Sequence, residues 1–134
     1  MKTEPNLSRE NAAYKWFIEE LYRIAKSSVS ANRIRKSGHP ERINDADLPL
    51  ETDEARRKEF FLRQKSEDRE MLARLLEEER IGAIHDVASF LEGHLSCDEM
   101  KVTFGDQDIP ASPYWSMHHD LIGLVHGEAW EDEQ

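Results

Sequence analysis

With 134 residues and 38% hydrophobic content, the chain can build one compact core but is short for two of ordinary size. No run approaches the roughly 20 consecutive apolar residues that span a bilayer, the N-terminal "MKTEPNLSRENAAYKW" lacks the apolar centre of a secretory signal, and the lone Cys97 excludes an internal disulfide or a cysteine-built zinc site. The net charge of -10 disfavours binding to nucleic acid phosphates. These limits predict a single cytoplasmic domain over residues 1–134, α+β and predominantly helical, with residues 1–7 and 131–134 frayed.

Ser8 is a candidate cap for a helix in which Tyr14, Phe17, Ile18, Leu21, Tyr22 and Ala25 recur at spacings of three and four. Glu10, Lys15, Glu19 and Lys26 fill the charged positions between them. A short helix follows over Ser30 to Ser37, stopped by Gly38 and Pro40. Its basic "NRIRKSGH" reads as a solvated helix end that complements the helix dipole or the acidic second half. Residues 39–49 read as a loop. A third helix starts near Thr52 and Asp53 and brings Phe60, Phe61 and Leu62 toward the core.

Ser66, followed by Glu67, Asp68 and Glu70, is a strong helix start, and one long central helix is expected over about 66–95. Its predicted apolar stripe is Met71, Leu72, Leu75, Leu76, Ala83, Val87, Phe90 and Leu91, widened by Ile84 and Ala88. The alternation in "MKVTF" and the turn chemistry of "GDQD" predict a small β-hairpin at about 100–110. "SPYWSMHHDLIGLVHG" then reads as a helix capped by Ser112 and ended by Gly127, with a strand as the alternative. Trp130 in the acidic tail is placed to fold back onto the body.

The chemically unusual residues lie in "EEERIGAIHDVASFL" and "SMHHD". Glu79 and Asp86 are seven apart and nearly superpose on one helix face, while Glu78 and His85 form the neighbouring row. Gly82 sits between the rows, where it costs about 1 kcal/mol relative to Ala, so a closely packed neighbour is expected. The candidate cluster is Glu79, Arg80, His85, Asp86, His118 and Asp120. In the first reading it is a polar dock, with Asp86 or Glu79 accepting hydrogen bonds from His118, His119 or Arg80. A second gathers His85, Asp86, His118 and Asp120 around a divalent metal, although adjacent helical residues point about 100° apart. In a third, His85 or His118 acts as a general acid or base beside a carboxylate, yet no nucleophile turn or phosphate loop accompanies it.

"AIHDVA" at Ala83 to Ala88 is similar to the His-Asp doublet of the HD-domain phosphohydrolases. That resemblance implies a metal-dependent hydrolase with His39, His85, Asp86 and Asp120 as ligands. It covers six residues, and His39 lies in a Pro-flanked loop. "EDREMLARLLEEERIGAIHDV", the β-rich turn and "SMHHD" together resemble a family of short, uncharacterised bacterial proteins, over roughly residues 66–130. This second resemblance assigns Glu79, Arg80, His85, Asp86, Ser116, Met117, His118 and Asp120 to the family pattern and implies no function.

Charge adds the remaining expectation. Residues 1–65 hold 14 Lys and Arg against 11 Asp and Glu, while residues 66–134 hold 4 against 17, a balance of -13. An acidic second half without a nucleophile points to a non-enzymatic binding module, of inhibitor or immunity type, that meets a basic protein partner. No cofactor, nucleic acid or membrane is expected, and the chain is free to pair with a second copy of itself. The small metal-dependent phosphohydrolase is the alternative.

Overall fold

The computed structural model describes residues 9–37 and 51–134. Ser8, Gly38, His39, Pro40 and the loop expected over 39–49 lie outside the described residues. The elements are α1 (Ala12–Lys26), α2 (Val29–Ser37), α3 (Glu51–Leu62), α4 (Ser66–Ser96), β1 (Val102–Phe104), β2 (Gln107–Ile109), α5 (Met117–Val125) and a closing 3-10 turn (Glu131–Glu133). The fold is thus α+β and predominantly helical, with a long central helix and a small hairpin. The segment left open between helix and strand is a helix. The chain sorts into two compact units, one of Met1–Lys26 with Ile81–Gln134 and one of Ser27–Arg80.

In the first unit α1 lies against α5 and β2. The helical spacing of Tyr14 and Ile18 brings both onto one face, where they are buried with Ala88, Ile109, Met117, Leu121 and Trp130. Burying a side chain such as Ile18 or Leu121, each fully covered, contributes roughly 1.5 to 3 kcal/mol. β1 and β2 pair antiparallel, Val102 opposite Ile109 and Phe104 opposite Gln107. The turn between them needs Gly105, whose φ of 59° suits a residue without Cβ. The Trp16 ring packs on Phe104 at 4.2 Å between centroids and ties the hairpin to α1. Lys15, assigned by its charge to the surface, is buried instead, with 1% of its area exposed.

α5 begins one turn later than expected. Its cap is Ser116, whose hydroxyl accepts the His119 N–H at 3.2 Å. Ser112 serves elsewhere, accepting the Tyr114 N–H at 2.9 Å while its backbone N–H donates to Glu92 at 3.0 Å. Gly127, at φ 78°, ends the helix as the sequence indicates.

The buried face of α4 differs from the expected stripe. Ala73 and Ala88 are fully buried, and Ile84, Leu91 and Leu95 pack against the first unit's core. Met71, Leu75, Val87 and Phe90 remain 48 to 55% exposed. Apolar residues occur almost all round this helix, so periodicity alone selects no face. Close approach is made along the line carrying the small alanines.

The second unit is stapled, among the described residues, by a cluster of Ala31, Ile34 and Ala73, with Phe61 against it. Ser28 caps α2 by accepting the Ala31 N–H at 3.1 Å. Phe60 and Leu62, expected in the core beside Phe61, are 41% and 56% exposed. Three consecutive residues on a helix fan over about 200°, so one of them faces inward. Arg35, in the last turn of α2, donates two hydrogen bonds to each of Glu70 and Glu77 on α4. Those contacts, Glu77 first, hold the guanidinium above its usual pKa and draw the Glu70 carboxyl below its own. Arg35 thus joins the basic stretch to the acidic half.

Candidate functional site

Of the six residues singled out from the sequence, Glu79 and Arg80 are exposed on α4 within the Ser27–Arg80 unit. The other four belong to the first unit. His85 and His118 meet edge to face, their ring centroids 5.2 Å apart at an interplanar angle of 85°. The His118 Nε2 stands 3.3 Å from the Ser116 hydroxyl, and its Nδ1 is buried without a hydrogen-bond partner among the described residues. Asp86, one residue on from His85, turns outward with 86% of its side chain exposed, its carboxylate 3.5 Å from the His85 Nδ1. The "SMHHD" segment thus reaches α4 through an imidazole pair, while the Glu79 and Asp86 side chains face solvent.

Gly82 corrects a further expectation. A Cβ built there meets nothing within 4 Å, so no neighbour requires the glycine.

Asp120, in the first turn of α5, is held from the opposite side. The Tyr14 and Ser112 hydroxyls both donate to its Oδ2. Burial, with the hydrogen bond to Asp120 next, raises the Tyr14 phenol far above its ordinary range and keeps it a donor. Both donors address one oxygen, so the remaining acceptor capacity of this carboxylate lies on Oδ1. The partner Tyr14 stands 106 positions away in sequence and carries no motif that would betray the pairing.

The four suggested metal ligands therefore divide into an imidazole pair, a solvent-facing Asp86 and a hydroxyl-bound Asp120. Among the described residues no group of three or more His, Cys, Asp or Glu is arranged to hold a metal ion. His39 lies outside the described residues. Acid-base work would need a histidine beside a carboxylate and a reacting group. Of the two suggested imidazoles, His85 stands 3.5 Å from Asp86, whose side chain is 86% exposed; the shorter pair, His94 with Glu99 at 2.8 Å, lies outside the suggested cluster.

Among the described residues of this unit, one cleft of about 570 Å³ runs beside the hairpin from Leu95 to Ala111, and another lies between α5 and the C-terminal tail. The latter is a cleft of about 280 Å³ bordered by Tyr114, Trp115, Asp120, Glu128, Trp130 and Glu131. Trp115 is 76% exposed, its indole 5.3 Å from the His119 ring at an angle of 31°. On the other wall Trp130 is almost wholly buried, 5.4 Å from the Tyr114 ring, and its indole N–H donates to Glu19 at 2.9 Å. The Glu128 carboxylate leans over α5, with Oε2 3.0 Å from where a Cβ on Gly123 would stand.

The tail wall is fixed by ion pairs to α1. Lys15 Nζ reaches Asp132 at 2.8 Å and Glu133 at 3.4 Å, and lies 5.9 Å from the Trp130 ring centre. Arg9 bridges Glu19 at 2.9 Å and Glu133 at 2.8 Å. Tyr114 donates to Asp132 at 2.9 Å. Burial works against the Lys15 charge, yet the Asp132 hydrogen bond and the surrounding negative groups hold the ammonium above its usual pKa. Asp132 and Glu133 are lowered in turn, through Lys15 and Arg9 respectively. The tail expected to fray is thus held on α1, and Trp130 does fold back.

The sequence missed Tyr14, Lys15, Ser112 and Trp115 as site-forming residues. A usable signal was present: "SPYW" places two aromatic residues just before α5, and "EAWEDE" sets another among carboxylates just after it.

Fold and site together define a small, mainly helical protein with an acidic, aromatic-walled cleft. The chain belongs to DUF6547, a family of unknown function, which matches residues 7–132. The expected family membership is thereby shown, and the match reaches well beyond residues 66–130. No curated protein and no solved structure matches the chain.

Proposed function

We propose that this protein is a non-enzymatic binding module whose acidic C-terminal half recognises a basic protein partner. The observation that carries the reading is the uncompensated charge of the last segment. Residues 97–134 contain nine carboxylate side chains and one base, Lys101, which lies 3.6 Å from Asp108. Asp132 and Glu133 are neutralised by Lys15 and Arg9, but Glu128 and Glu131 stand exposed with no ion pair among the described residues. A surface of one sign accelerates encounter with its complement and repels nucleic acid and anionic lipid. A single exposed thiol, Cys97, suits the reducing cytoplasm.

The test is to capture partners with the full chain, identify them, and measure association at rising ionic strength. The reading expects a basic partner and affinity that falls roughly tenfold or more from low to physiological salt. Salt-insensitive association with the identified partner would defeat it.

The alternative, a metal-dependent phosphohydrolase, draws its support from the contact between His85 and His118. Metal analysis of untagged protein and melting curves with chelator, Mn²⁺, Zn²⁺ or Mg²⁺ decide it. A stoichiometric metal whose removal lowers the melting temperature would favour that alternative. Metal-free protein whose melting ignores all three ions would remove it.

A further inference from the structure

We infer that the cleft between α5 and the tail receives the arginine side chain of a protein partner. The inference rests on the reading above, that the partner is basic, and specifies where and by what group it is held.

Size comes first. At about 280 Å³ the cleft falls at or below the roughly 300 to 1,000 Å³ of sites that enclose a free ligand or cofactor, and suits a single long side chain. Charge comes next. Asp120, Glu128 and Glu131 border the cleft, and no lysine or arginine lines it. An anion is therefore repelled, and an apolar group would leave these carboxylates desolvated and unpaired. The carboxylates also have capacity to spare. Asp120 uses Oδ2 for Tyr14 and Ser112 and retains Oδ1, while Glu128 and Glu131 have no ion-pair partner among the described residues.

Shape then selects guanidinium over ammonium. Trp115, backed on one side by His119 and 76% exposed, offers a flat π surface at the rim. A planar guanidinium stacks on such a face and presents a fork of N–H donors to carboxylates, whereas an ammonium is a compact, strongly hydrated point charge. The opposite wall is fixed before any ligand arrives. Trp130 is held by Glu19, and the residues after it by Lys15 and Arg9. A wall ordered in advance lowers the entropy lost on binding. The wall carrying Glu128 closes over Gly123, where a side chain would press against the carboxylate at 3.0 Å.

The experiment is a ¹H–¹⁵N titration of the full chain with three blocked tripeptides, Gly-Arg-Gly, Gly-Lys-Gly and Gly-citrulline-Gly. Citrulline keeps the shape of arginine and removes its charge. The arginine peptide should produce saturable shifts centred on the Trp115 indole N–H and the Gly123 and Glu128 amides, with a dissociation constant of millimolar order. The citrulline peptide should give none, and the lysine peptide should bind more weakly. The double variant Glu128→Gln/Glu131→Gln should weaken arginine binding about tenfold, and Trp115→Ala severalfold, with the remaining spectrum unchanged. Citrulline or lysine binding as tightly as arginine, or saturable shifts centred elsewhere, overturns the inference. Failure to bind the arginine peptide, with salt-sensitive capture of a basic partner intact, refutes the cleft and spares the broader function. Arginine binding in the cleft alongside a salt-insensitive partner does the reverse.

Discussion

At Asp120 one carboxylate oxygen collects hydroxyl donors from Tyr14 on α1 and from Ser112 in the preceding loop, so a single residue ties three parts of the chain together. Tyr14→Phe removes one donor and should lower stability in urea unfolding by about 1 to 2 kcal/mol. The pH dependence follows from the same group. Tyr14 is raised from its ordinary 10.0 and Lys15 from 10.5, so their contribution is complete below about pH 10 and is lost as pH rises beyond those values. Asp132 and Glu133 are lowered from 3.8 and 4.5, so theirs is present above those values and lost as pH falls below them. Denaturation across a pH series should therefore show a plateau near neutrality with a fall at each end, and Tyr14→Phe should flatten the alkaline fall. At Gly82, where an added Cβ meets nothing, Gly82→Ala should stabilise by up to about 1 kcal/mol. Asp86→Ala, at a side chain 86% exposed, should change stability by less than about 0.5 kcal/mol. A larger loss there would show that the carboxylate has a partner.

Among the elements, α4 shows where sequence reading succeeds and where it stops. Its start at Ser66, with Glu67 and Asp68 in the first turn, and its length were legible, as were α1, the hairpin at "GDQD" and the stop at Gly127. Its buried face was not. Leu75, Val87 and Phe90 are as apolar as Ile84 and Leu91, and the choice among them is made by Ala73 and Ala88, which permit close packing. Ala88→Leu should therefore overpack the core and cost about 1 to 3 kcal/mol. Phe90→Ala, on the exposed side, should cost no more than about 1 kcal/mol, which urea unfolding of the pair can check. The site was partly legible for the same kind of reason. His85, His118 and Asp120 stand out as residue types, but Tyr14, one of the two hydroxyl donors to Asp120, and Asp132, the counter-ion of Lys15, lie more than 100 positions from those residues. Lys15 read as a surface charge because its counter-ions sit at the other end of the chain.

For the whole molecule, the two compact units carry cores of unequal size among the described residues. The first buries Tyr14, Ile18, Ile109, Met117, Leu121 and Trp130; the second rests on Ala31, Ile34, Ala73 and Phe61. Length and composition argue for one folding domain, and on that proposal urea unfolding should show a single transition. Native-state hydrogen exchange should still separate the units, with amides of α2 opening at lower free energy than those of α1 and α5. Equal protection in both would mean that the smaller core is no weaker than the larger.

The three tryptophans occupy three different settings: Trp130 sealed in the core, Trp16 stacked beneath the hairpin, and Trp115 standing in solvent at the cleft rim. Their fluorescence therefore reads the molecule in layers without any label. A soluble quencher should reach Trp115 first and Trp130 only after unfolding, so occupancy of the rim and loss of the core can be followed as separate optical signals in one sample.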